Sequence, residues 1–241
     1  MLQQIRIAVD FYNIGTTGSF PVFKQQAIST LICSSKCNII ALGGENMIKT
    51  TEILKEELFE YQNPVAKIKR MNDDGTLTPI IRGLYETDAS VPGYLLAAAI
   101  YGPSYLSFEF ALSYYGLIPE AAYNFTCATF EKKKTKQYTT PFGTFTYRDV
   151  PSAAYPAEVM AKEENGYAYF IAAPEKAICD MLYKTSPLNN ITGIKEYLFS
   201  NLRIDFEAFA KLDLFKMQDL CALYKTQNHR LLERLLKKGI V

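Results

Sequence analysis

Five short runs rich in strand-forming residues stand between residues 122 and 172, with helical patterns on both sides. The runs are Ala122 to Phe130, Gln137 to Pro141, Gly143 to Val150, Glu158 to Lys162 and Tyr167 to Ala172. Turn-forming groups separate them: Lys132-Lys133-Lys134, Pro141-Phe142-Gly143 and Asn165-Gly166. An Asn-Gly pair between two such runs supplies the positive-φ residues of a tight hairpin. Pro174 opens a helix from Glu175 to Tyr183, and Gly193 to Ser200, Phe206 to Lys211, Leu214 to Tyr224 and His229 to Lys238 read as further helical pieces. Helices, then strands, then helices is the order of an α+β protein.

Ahead of the strands the pattern changes twice. From Met47, Ile53, Leu54, Leu58 and Phe59 recur at helical spacing, with Thr50 or Thr51 as cap. Asn63 as N-cap and Pro64 at the first position signal a second helix through Val65, Ile68 and Met71, stopped by Gly75. Leu77 to Thr87 follows as a two-stranded ribbon bent around Arg82-Gly83. Helix, helix, ribbon is the order of a small winged helix-turn-helix unit, here residues 47–90. After a linker at Asp88 to Ser90, residues 91–241 form the larger domain, whose first elements are an apolar helix from Pro92 to Tyr101 and a helix from Phe108 to Tyr115 ended by Gly116. Ser107 is the expected N-cap of the second of these, and Phe108, Tyr114 and Tyr115 are expected to lie mostly in the core.

Residues 1–46 carry no sustained period. Gly43-Gly44-Glu45-Asn46 requires a purine-rich stretch of codons directly before the ATG of Met47, the pattern of a bacterial ribosome-binding site. The expectation is a native start at Met47, with the preceding residues a non-native or poorly ordered extension. A genuine extension adding a hairpin or strand is the alternative, and the mass of the product made from its own locus decides between them.

Composition removes several classes of function. The longest apolar run, Tyr94 to Tyr101, is far short of the roughly 20 residues of a membrane span, and no charged-then-apolar leader opens the chain, so a cytoplasmic protein without a membrane partner is expected. Five scattered cysteines, Cys33, Cys37, Cys127, Cys179 and Cys221, suit a reducing compartment, and most are read as small buried apolar residues. The single histidine, His229, rules out histidine triads and multi-histidine metal sites and reads as a surface or capping residue. Neither GxxxxGK[ST] nor GxGxxG occurs. Asp73-Asp74, Glu56-Glu57 and Glu163-Glu164 read as solvated carboxylates. No enzyme activity, metal or cofactor is therefore expected.

Two basic features remain. Lys67, Lys69 and Arg70 lie on the second helix and Arg82 at the ribbon bend, where winged proteins meet DNA; against this stands the reading of an ordinary solvated face. Lys132, Lys133, Lys134 and Lys136, with Arg148 one hairpin away, form a possible polyanion or partner patch, although most such runs only solubilise a sheet edge. With 26 Lys plus Arg against 25 Asp plus Glu, any nucleic-acid contact must be local.

Four ordered blocks resemble the AbiEi-type antitoxins. They are Arg82-Gly83-Leu84-Tyr85; Tyr105-Leu106-Ser107-Phe108-Glu109-Phe110-Ala111-Leu112 continuing through Ser113-Tyr114-Tyr115-Gly116-Leu117-Ile118-Pro119-Glu120; Thr140-Pro141-Phe142-Gly143-Thr144-Phe145-Thr146-Tyr147-Arg148; and Ile171-Ala172-Ala173-Pro174-Glu175-Lys176-Ala177-Ile178-Cys179-Asp180-Met181-Leu182-Tyr183. The resemblance implies an N-terminal winged helix that binds operator DNA in its own promoter. It further implies an antitoxin domain that counters a nucleotidyltransferase-like toxin of an abortive-infection, phage-defence operon. The N-terminal unit is shorter than the family pattern, with little room for a helix between the first and the basic one. The alternatives are a degenerate nucleotidyltransferase-like or nucleic-acid-processing module, for which the strands offer only Asp149 and Glu158, and a winged-helix protein-interaction module without DNA binding.

Overall fold

The computed structural model describes residues 48–239; the expected extension, the start at Met47, Cys33 and Cys37 lie outside the described residues. The chain is a mixed α+β protein built on two sheets. The first unit runs β1 (Lys49–Thr50), α1 (Thr51–Glu57), α2 (Pro64–Asp73), β2 (Thr78–Ile81) and β3 (Leu84–Glu86). Thr50 Oγ1 accepts the Ile53 N–H at 3.3 Å and Asn63 Oδ1 the Ala66 N–H at 3.0 Å, so both helix starts are capped as their residue types dictate. The β2–β3 ribbon turns at Gly83, whose φ of +84° suits glycine. A feature absent from the sequence reading is β1, two residues that pair with β3 to give the antiparallel order β1-β3-β2. Leu54, Ile68 and Leu77 bury one another as a small core. Of the four apolar residues read at helical spacing, Leu54 is buried, whereas Ile53 is exposed and Phe59, which lies beyond the end of α1 at Glu57, is 75% exposed.

The second sheet is central to the larger part. A 3-10 turn (Gly93–Leu96) leads into α3 (Ala97–Ile100), β4 (Tyr105–Leu106) and α4 (Phe108–Tyr114). The strands β5 (Asn124–Thr129), β6 (Lys136–Thr140), β7 (Gly143–Asp149), β8 (Val159–Glu164) and β9 (Tyr167–Ala172) follow, and then α5 (Pro174–Lys184). The order is β6-β7-β5-β4-β9-β8, with β5–β7 and β4–β9 parallel and the other pairs antiparallel. Asn165 and Gly166, at φ of +52° and +79°, make the β8–β9 hairpin as expected. α4 packs on β5 and α5, and α5 packs in turn on α8 (Leu214–Tyr224) and α9 (Gln227–Lys238). Between α5 and α8 lie α6 (Ile191–Lys195), which runs into a π-helical turn (Glu196–Asn201), and α7 (Phe206–Ala210).

Three expectations are corrected by this packing. His229 is fully buried rather than a surface residue, stacked on Tyr224 with ring centroids 4.2 Å apart. Ser107 precedes α4 but makes no cap, because its hydroxyl donates to Asp180 on α5 at 2.6 Å. Tyr114, expected in the core, is 42% exposed, where Lys162 Nζ donates to its hydroxyl at 3.1 Å. Cys127, Cys179 and Cys221 are buried free thiols.

Candidate nucleic-acid interface

Lys67, Lys69 and Arg70 project from α2, whose Ile68 is the buried anchor between them. Lys69 and Arg70 are exposed; Lys67 is half-buried, its Nζ 5.4 Å from the centre of the Tyr61 ring. Arg82 is exposed at the ribbon tip. The tip is held by the start of α1, where the Thr51 N–H donates to the Gly83 carbonyl at 3.0 Å. One unit thus carries all four residues on a capped helix and a pinned turn. Its charge is nevertheless unfavourable for DNA taken whole, because residues 48–90 hold six Lys and Arg against eight Asp and Glu.

The second basic group gathers around Asp149. Thr129 Oγ1 donates to Asp149 Oδ1 at 2.6 Å and the Lys133 N–H to Oδ2 at 2.5 Å, which ties the loop between β5 and β6 to the end of β7. Glu131 and Lys133 both stand at φ of +56°, a left-handed conformation costly for residues with side chains, so this tie sustains a defined loop shape. Lys133 and Lys134 are exposed, Lys136 begins the edge strand β6, and Lys132 Nζ lies 5.3 Å from the centre of the Tyr101 ring. Arg148 separates from this group. It is spent on an ion pair with Glu109 and lies 4.4 Å from the centre of the Phe108 ring, which makes it an internal brace. For Lys184, at the end of α5, desolvation lowers the pKa, and the Asp149 charge opposes that shift.

The carboxylates that an enzyme reading would need are otherwise engaged. Asp149 serves the loop, and Glu158 pairs with Lys216 at 3.1 Å. Among the described residues no group of three or more His, Cys, Asp or Glu is placed to hold a metal ion, and no helix is long and apolar enough to cross a membrane.

No family model and no curated protein matches the chain. The crystal structure of the RV2827C protein from Mycobacterium tuberculosis is similar in fold, with a TM-score of 0.50 and 13% sequence identity over 94% of this chain and 80% of that one. At this identity the likeness concerns the fold alone.

Proposed function

We propose that this chain is a cytoplasmic antitoxin and autoregulatory repressor of the AbiEi type, which acts by binding rather than by chemistry. In this reading the N-terminal unit is a winged helix on operator DNA in its own promoter. The larger domain counters a nucleotidyltransferase-like toxin from the same operon. The observation that carries the reading is the build of residues 48–86: two capped helices and a three-stranded sheet presenting Lys69 and Arg70 on α2 and Arg82 at a pinned ribbon tip. The four sequence blocks that resemble the antitoxins support the same assignment.

The test is promoter binding by the full-length protein. Replacing Lys67, Lys69 and Arg70 together by Ala is expected to weaken binding and lower the salt slope by up to about 3, close to one unit per phosphate contact. Folding should survive, since none of the three side chains belongs to the small core. Gel-shift titration at two salt concentrations measures both quantities. Unchanged affinity and slope in the folded triple variant would make α2 a solvated face only.

A further inference from the structure

The winged unit faces an electrostatic problem. Its six basic residues are outnumbered by eight acidic ones, so its phosphate contacts are local to α2 and the ribbon tip and its overall charge does not favour a phosphate backbone. The missing charge lies next to it. Residues 131–149, the loop and the β6–β7 hairpin, hold four lysines besides the ion-paired Arg148, against two acids. β2 of the ribbon packs beside β6, and Ile80 at the end of that ribbon belongs to the core of the larger domain. Wing and hairpin therefore share a packed seam.

The hairpin is also prepared for such a contact. Of its cations, Arg148 is the only one bound to an acid; none of Lys132, Lys133, Lys134 and Lys136 forms an ion pair among the described residues. The loop that carries them is held in an unfavourable left-handed shape through the Lys133 N–H and Asp149. A loop serving only to solubilise a sheet edge needs no such shape, whereas a fixed row of lysines loses less entropy when it meets a rigid row of phosphates.

We propose that the DNA footprint of this chain extends from the winged unit onto the β6–β7 hairpin, where Lys132, Lys133, Lys134 and Lys136 bind the phosphate backbone flanking the operator. The proposal rests on the reading of residues 48–90 as DNA-binding and adds to it a second contact in the larger domain. It carries no base readout, because lysines on phosphates position a duplex without reading it.

The experiment uses the full chain, a duplex from its own promoter and hydroxyl-radical footprinting beside affinity measurements at two salt concentrations. In the Lys132→Ala, Lys133→Ala, Lys134→Ala variant, affinity should fall and the salt slope decrease by about 3. Protection should vanish at one flank of the footprint while the centre remains protected. The Lys67→Ala, Lys69→Ala, Arg70→Ala variant should lose the centre. A hairpin variant with wild-type affinity, slope and footprint overturns the extension and leaves the winged unit's own role standing if the α2 variant still loses binding. The same unchanged DNA binding, accompanied by loss of toxin neutralisation in a growth assay, overturns it in favour of an acidic protein face. A wild-type chain that leaves the promoter unprotected overturns both the extension and the reading beneath it.

Discussion

Asp180 has no exposed surface and takes four donors: Tyr105 OH at 3.0 Å and Ser107 Oγ at 2.6 Å on Oδ2, Lys176 Nζ at 3.1 Å and Tyr224 OH at 2.5 Å on Oδ1. A carboxylate in the interior survives only when its lone pairs are filled in this way. The four donors come from β4, the residue before α4, α5 itself and α8, so one side chain ties the sheet to two helices. His229 stands one ring beyond, parallel to Tyr224. Its Nε2 lies 3.0 Å from the Cys179 carbonyl, which can only accept, so Nε2 carries the proton and Nδ1 accepts from Thr226 Oγ1 at 2.7 Å. Burial pushes its pKa down to about 4; the Cys179 carbonyl and the Asp180 charge oppose that shift, and the Lys176 charge adds to it. The unfolded chain, with His229 near 6.5, therefore binds the proton more readily than the native one between pH 6.5 and 4. The resulting stability is complete above pH 6.5 and is lost as the pH falls through 4, amounting to about 3 kcal/mol at most. His229→Phe keeps the stack but cannot titrate, so it should be less stable at pH 7.5 and flatter across this window. Urea midpoints measured from pH 4 to 7.5 check it, and equal slopes for the two proteins would exclude His229 as the source. None of this was legible from the sequence: Asn228 and Arg230 beside a lone histidine suggest a wet helix start, and the groups that bury it come from α5 and α8.

At the scale of elements, legibility followed length. The strands β5 to β9 and the helices α2, α5 and α8 stand within a few residues of where alternation, helical spacing, Asn63-Pro64, Pro174 and Asn165-Gly166 placed them, because each carries its own signal. β1 and β4 were invisible, since two residues cannot show a period and each exists only because a longer strand accepts its backbone hydrogen bonds. Of the site, Lys67, Lys69, Arg70, Arg82 and the lysine run could be marked from local context, while Arg148's diversion to Glu109 depends on tertiary packing. Gly93 shows the same limit in a testable form. It reads as a mere helix opener after Pro92, yet a Cβ there would stand 2.3 Å from the Phe142 carbonyl oxygen and 2.4 Å from Phe125 Cε2. The 3-10 turn has thus been drawn against the β6–β7 turn as closely as backbone allows. Gly93→Ala is expected to cost about 3 kcal/mol through overpacking that a carbonyl cannot relieve. Gly75→Ala, with open space but a φ of +80°, should cost only about 1 kcal/mol. Chemical denaturation of the two variants tests the contrast, and equal small losses would show that the turn yields easily.

The two units of the molecule are distinct in charge but not in core. Leu54, Ile68 and Leu77 form their own cluster, yet Ile80 lies in the main one, with Ile81 and Leu84 packed against it. At the seam Glu86 is buried and accepts the Thr87 and Asp88 N–H groups at 2.8 and 3.2 Å, while desolvation and then the Glu86 charge raise the pKa of Tyr167 on β9. The stretch at Asp88 to Ser90 is thus part of a packed joint. If labour is divided as proposed, a fragment from Val91 to Val241 should lose promoter binding and still rescue growth when the toxin is expressed. Its core supports folding, with β4, β5, β7 and β9 and the buried face of α5 all retained. Removing Ile80, Ile81 and Leu84 uncovers apolar surface, so the fragment should melt below the full chain while keeping its circular dichroism signature. The full-length Lys67→Ala, Lys69→Ala, Arg70→Ala chain gives the same answer without truncation: repression falls and neutralisation stays. Growth under toxin induction measures both proteins. Failure of a folded fragment and of the triple variant alike to protect cells, while the wild-type chain does, would mean that residues 48–90 take part in neutralisation and that the division of labour is wrong.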